Sequence, residues 1–82
     1  MMKRESIAIA DIYVPQARRT TLDPAKVDAL AASILETGLQ NPILVRPDGV
    51  RFVLVEGLHR LEACRALGET TIAGYLVQAR RH

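Results

Sequence analysis

The sequence predicts one small α+β domain whose elements run in the order β-α-β-β-α-β. Three observations carry that expectation. Runs rich in Ile, Leu and Val with strand character occupy residues 6–14, 42–46, 51–55 and 70–77. Two helical patterns interrupt them, each closed by a glycine. A length of 82 residues suits a single domain, spanning 1–82 with its core at about 6–78.

Residues 6–14, Ser-Ile-Ala-Ile-Ala-Asp-Ile-Tyr-Val, partly alternate and read as the first strand. Pro15 to Thr21 is expected as a polar connection. Asp23-Pro24 then starts a helix: Asp supplies the N-cap oxygen, and Pro24 takes the first helical position, where a missing N–H costs nothing. Val27, Leu30, Ala31 and Ile34 follow at helical spacing, with Lys26, Asp28, Ser33 and Glu36 off that stripe. Gly38 is expected to close the helix in a left-handed cap. Pro42 to Arg46 and Arg51 to Val55 form a hairpin around the turn Pro47-Asp48-Gly49. Gly57 breaks the strand, and a second helix is expected from Leu58 to Leu67. Its apolar stripe is Leu61, Cys64 and Leu67, with Ala63 and Ala66 allowing close packing. Gly68 caps it, 70–77 is the last strand, and Gln78 to His82 is a basic tail.

Composition narrows the function classes. A chain this short buries only about 60% of its unfolded surface, so its core is small. Aromatic residues are Tyr13, Phe52 and Tyr75 alone, which leaves the core to Leu, Ile, Val and Ala. The net charge of +2 is too small to imply a nucleic-acid surface by itself. Among eleven basic residues only Lys3 and Lys26 are lysines. The arginine excess suits bidentate phosphate recognition, but the plainer explanation is codon bias in a GC-rich genome. The single Cys64 excludes an internal disulfide and a cysteine metal site. No segment approaches the ~20 apolar residues of a membrane span, and no signal-peptide core is visible, so a cytoplasmic setting without membrane contact is expected.

The chemistry concentrates at Glu56-Gly57-Leu58-His59-Arg60. A strand that ends at a glycine and passes directly into a helix exposes unpaired backbone N–H groups at the positive end of the helix dipole, which suits an anion. Gly57 permits a ligand to approach the backbone. His59 and Arg60 sit in the first turn, where a cation opposes the dipole; a bound phosphate removes that conflict. The plainer alternative is an exposed His59 with Arg60 paired to Glu56 or Glu62. The segment is not a P-loop, since Gly-x-x-x-x-Gly-Lys-Ser/Thr is absent. Cys64, nearly two turns on and in the apolar stripe, reads as a buried structural residue.

Several stretches resemble a known superfamily. Leu22-Asp23-Pro24-Ala25-Lys26-Val27 with Ile34 resembles the start of the first long helix in sulfiredoxins, and His59-Arg60 resembles the end of their Gly-Gly/Ser-Cys-His-Arg motif. Ser33-Ile34, Gly38-Leu39 and Asn41 to Pro47 resemble the N-terminal domain of ParB partition proteins. Together these stretches cover residues 8–78, and the resemblance implies the ParB/sulfiredoxin-like fold. It also implies nucleotide phosphates, of ATP or CTP with Mg²⁺, held at Gly57, Leu58, His59 and Arg60, with Lys26, Arg18 and Ser33 closing the site. Leu58 stands where sulfiredoxins carry their reactive cysteine, and a leucine is no nucleophile, so sulfinic-acid reduction in its usual form is not expected. Against the ParB Gly-Glu-Arg-Arg motif, Gly57 and Arg60 match while Leu58 and His59 do not. Gln16-Ala17-Arg18 is similar to the ParB Gln-Pro-Arg.

Four functional expectations follow. The first is a stand-alone nucleotide-binding or regulatory module. The second is a small kinase or NTPase using Glu56, which matches the acid that precedes the glycine in free-serine kinases and could orient a nucleophile or hold Mg²⁺; alternatively Glu56 only pairs with Arg60 or Arg46. The third is a DNA-associated partition or plasmid accessory protein acting through Arg80, Arg81 and other basic residues. In this reading the chain stops where ParB proteins continue into a helix-turn-helix domain. The fourth is a regulator that keeps the fold without its ligand. A small core with an exposed sheet edge also points to a homodimer.

Overall fold

The computed structural model describes residues 3–39 and 41–77. The basic tail, with Arg80 and Arg81, lies outside the described residues. Strand β1 (Arg4–Ala8) is followed by a 3₁₀ turn (Ile9–Asp11) and the two-residue strand β2 (Ile12–Tyr13). Helices α1 (Gln16–Arg19) and α2 (Pro24–Thr37) come next, then β3 (Ile43–Asp48), β4 (Arg51–Glu56), α3 (Leu58–Ala66) and β5 (Thr71–Leu76). The strands make one mixed sheet in the order β1-β5-β3-β4-β2. β1 pairs antiparallel with β5 and β3 antiparallel with β4, while β5 lies parallel to β3 and β2 parallel to β4.

The N-terminal run is not the single strand its composition suggests. The 3₁₀ turn splits it, so that Ile7 pairs with Ile72 at one edge of the sheet and Ile12 with Phe52 at the other. The turn is held by Ile9 N–H donating to Thr70 O at 2.9 Å. Chain crossing from edge to edge is what buries Ile7, Ile9, Ile12 and Val14 together, a gain that outweighs a continuous ladder. The connection after Pro15 also differs from expectation. It closes into α1, with Arg18 and Arg19 N–H groups bonding back to Pro15 O.

The core lies between the inner face of the sheet and α3. Ile43, Val45, Leu54 and Leu61 are its largest fully buried side chains, joined by Leu58, Cys64 and Ile72. Full burial of one such side chain contributes about 1.5–3 kcal/mol. In α3 the buried residues are Leu58, Leu61, Ala63 and Cys64, so the inward stripe begins one turn earlier than expected and Leu67 is only half-buried.

Helix α2 starts as its sequence dictates. Asp23 is the N-cap, its Oδ1 accepting Ala25 N–H at 3.0 Å, and Pro24 occupies the first turn. Its apolar stripe of Val27, Leu30, Ala31 and Ile34 is half-buried against α3, and no residue of α2 is fully buried. Gly38 ends the helix at φ 81° and ψ 171°, a positive φ but not the left-handed helical cap. The hairpin turn falls at Gly49-Val50 because Pro47 and Asp48 still pair with Phe52 and Arg51.

Candidate functional site

The site is set by the exit from β4. Glu56 ends the strand opposite Leu44, and Gly57 turns the chain into α3 at φ 112°, ψ 31°. A Cβ at position 57 would stand 2.7 Å from Ile43 Cγ2 and 3.2 Å from Ile43 Cα, so glycine is required both by the dihedral and by the approach of β3. No side chain caps α3, in contrast to α2. The first bond at its start runs from Leu61 N–H to Gly57 O at 2.9 Å, which leaves the N–H groups of Leu58, His59 and Arg60 without partners inside the helix. With no acidic residue in the first turn, the positive end of the helix is uncompensated.

Each side chain of the turn has a definite task. Leu58 is 7% exposed and belongs to the core cluster, so it offers an anion only its backbone N–H. His59 is half-buried, and its Nε2 accepts the Asp23 backbone N–H at 3.0 Å. That bond joins the starts of α2 and α3. Arg60 does not pair with Glu56 or Glu62. Its Nη1 donates to Asn41 O at 3.1 Å and Pro42 O at 2.9 Å, tying the segment before β3 to α3. Among the described residues the ion pairs are Arg51–Asp48 and Arg65–Glu62, so Glu56 pairs with neither Arg60 nor Arg46.

The remaining sequence-derived residues lie further out. Lys26 and Ser33 are exposed and seven residues apart, two turns along one side of α2. Arg18 is exposed on α1, where its carbonyl accepts the Thr21 hydroxyl at 2.7 Å. The neighbouring Arg19, not Arg18, lines a cleft of about 470 Å³ that reaches Leu58 between Val14, Leu22 and Arg65; Arg19 is anchored by Nε donating to Val14 O at 3.2 Å. A second cleft, about 390 Å³, lies on the other flank and is lined by Glu56, Arg60, Asn41, Pro42, Leu44 and Tyr75. Both volumes fall within the range of small-molecule sites. Asn41 and Arg19 were not singled out from sequence, because one acts through its carbonyl and the other through a helix with no sequence signature.

Two further observations bound the chemistry. Cys64 is buried, and burial first and the Glu69 carboxylate second push its thiol above the ordinary value, which keeps it protonated and inert at neutral pH. Among the described residues there is no group of three His, Cys, Asp or Glu side chains able to hold a metal ion, and no helix is long and apolar enough to cross a membrane.

A five-stranded mixed sheet with a glycine-led, uncapped helix bearing His59-Arg60 defines the ParB/sulfiredoxin class of α+β domain. Within that class, the ParB N-terminal domain matches residues 2–82, and the chain belongs to that family. It is 39% identical over 62 residues to a probable chromosome-partitioning protein ParB of Campylobacter jejuni, a match that takes in 76% of this chain and 22% of that protein. The chain thus spans about a fifth of that relative's length. Among solved structures, sulfiredoxin from Arabidopsis thaliana is similar with a TM-score of 0.84 and 31% identity, covering 94% of this chain and 86% of that one. The C-terminally truncated chromosome-partitioning protein ParB from Caulobacter crescentus, complexed with CTP-γ-S, gives a TM-score of 0.82 and 26% identity, over 95% of this chain and 46% of that one.

Proposed function

We propose that this domain binds a nucleoside triphosphate, CTP or ATP, by its phosphate groups at the start of α3, as a binding or regulatory module. The observation that carries the proposal is the uncapped helix start behind Gly57, with Arg60 and His59 in its first turn. The CTP-γ-S complex of the Caulobacter relative supports it. In this reading the backbone N–H groups of Leu58, His59 and Arg60 receive the phosphate oxygens, and the part of the Arg60 guanidinium not held by Asn41 and Pro42 adds a charged donor. Lys26 closes the site from α2, with Arg18 and Ser33 at its periphery. Mg²⁺ accompanies the nucleotide, with Glu56 the nearest carboxylate in sequence.

Titration calorimetry with CTP, ATP and ADP in the presence of Mg²⁺ tests this. Saturable binding of at least one nucleotide below about 1 mM is expected, and heat flow no different from buffer at that concentration rejects it. The match to chromosome-partitioning proteins favours a role linked to partition. A DNA mobility assay titrated with salt tests direct DNA contact, which must be strongest at low salt if it is phosphate-driven. A phosphotransfer or NTPase reading has one observation in its favour: Glu56 has no ion-pair partner among the described residues and shares a cleft with Arg60. Turnover that survives Glu56→Gln removes that residue from any chemistry. Self-association through the edge strand β1 is checked by sedimentation equilibrium.

A further inference from the structure

The proposed phosphate site contains an imidazole already committed to a backbone donor, and that commitment restricts what the ring can do. A backbone N–H only donates, so His59 Nε2, 3.0 Å from Asp23 N, must present a lone pair. The neutral ring then carries its proton on Nδ1, the nitrogen nearer the α3 backbone. No hydrogen bond from Nδ1 is formed among the described residues. An imidazolium would set an N–H of the ring against the N–H of Asp23, so the charged ring and the observed link exclude each other. The charged groups on the two helix starts are Asp23 and Lys26 on α2 and Arg60 and Glu62 on α3. Asp23 is itself fixed as the α2 cap by Ala25 N–H, which holds its backbone N–H in place 36 residues away from the ring it orients.

We propose that Asp23 is a positioning residue: its backbone N–H locks His59 as the neutral Nδ1–H tautomer, and His59 grips the nucleotide phosphate with that single donor, not as a cation. The inference rests on the phosphate reading of the α3 start. Charge in the site then comes from Arg60 and Lys26, and His59 supplies direction. The same bond makes α2 part of the site, since displacing Asp23 frees the ring to take the other tautomer.

Long-range ¹H–¹⁵N correlation spectra of the imidazole, taken on the ligand-free domain and after saturation with CTP or ATP and Mg²⁺, read both tautomer and charge. The expected result is the neutral Nδ1–H form in both states, with the Nδ1 resonance moving on loading and Nε2 nearly still. An imidazolium, the Nε2–H form, or an unmoved Nδ1 in a domain with nucleotide bound overturns the inference while leaving the phosphate reading intact. Absence of nucleotide binding by the unsubstituted domain removes both, and the ligand-free spectrum still tells whether Asp23 sets the tautomer. Two variants separate positioning from fold. His59→Gln keeps an acceptor at the Nε2 position and lacks the Nδ1 donor, so its melting temperature stays near the parent and its affinity falls roughly tenfold. His59→Asn keeps a donor near Nδ1 and loses the Asp23 link, so affinity is partly restored at the expense of melting temperature. Equal affinities for the two variants contradict the assignment.

Discussion

Replacing Gly57 by alanine tests the geometry on which the site depends. Two costs add. At φ 112° an L-residue is outside its allowed region, a penalty of about 1–2 kcal/mol. The new Cβ also meets Ile43, at 2.7 Å from Cγ2, 3.0 Å from Cβ and 3.2 Å from Cα. A rotation of the side chain can relieve only the first contact, and Ile43 is fully buried in β3, so the remainder is overpacking worth about 1–3 kcal/mol. The sum, about 2–5 kcal/mol, is a large part of the roughly 4–12 kcal/mol expected for a domain of this length. Gly49→Ala is the matched control: φ there is 63° with nothing within 4 Å, so only the conformational cost applies, about 1–2 kcal/mol. Urea titration followed by far-ultraviolet circular dichroism measures both. Gly57→Ala should lose clearly more than Gly49→Ala. Equal losses would show that β3 does not press on the turn and would refute the close-approach argument.

Other substitutions separate the tasks of the turn. Arg60→Ala removes both donors to the Asn41 and Pro42 carbonyls, for a loss of about 1–3 kcal/mol by denaturant titration together with weaker nucleotide binding; loss of binding alone would mean the carbonyl contacts are not made in solution. Leu58→Ala leaves a cavity under α3 and should cost about 2–4 kcal/mol, yet the folded fraction should keep its nucleotide affinity, because position 58 offers only its N–H; calorimetry below the melting temperature checks this. Glu56→Gln, at an exposed position without an ion pair, should change stability by less than about 0.5 kcal/mol in the same titration. The Cys64 thiol, raised from 9.0 by burial and then by Glu69, holds its proton to higher pH in the folded state than in the unfolded chain. Its contribution is therefore full below the unfolded value and lost as pH rises through the folded one, so stability should fall above about pH 9. Cys64→Ala should lessen that fall, and an unaltered pH slope would count against it.

Much of the fold was legible because the signals are local. Asp23-Pro24 starts α2 with a cap that needs only two residues and the next N–H, and the structure shows that bond. Gly57 marks the strand-to-helix turn because L side chains rarely adopt its dihedral. The hairpin of β3 and β4 follows from apolar runs flanking a Gly-containing turn, although the turn itself is Gly49-Val50 and not Pro47-Asp48-Gly49. The N-terminal strand was legible only as a strand. Its division between two sheet edges depends on Ile72 and Phe52, more than 35 residues away, which no local pattern reports.

The site shows the same division. By itself the sequence singled out Gly57 to Arg60 as the candidate anion site, since a helix start, a glycine and two basic-capable side chains adjoin there. It also determined that Leu58 could not act as a nucleophile, whatever the fold. Only the tertiary structure decided what those side chains hold: Arg60 turned to the carbonyls before β3, His59 bound to Asp23, Leu58 sunk in the core, and Arg19 in place of Arg18 at the cleft. The physical reason is range. Caps, turns and helix starts are settled by neighbours in the chain, whereas hydrogen bonds spanning 18 to 36 residues exist only after the sheet has set its register.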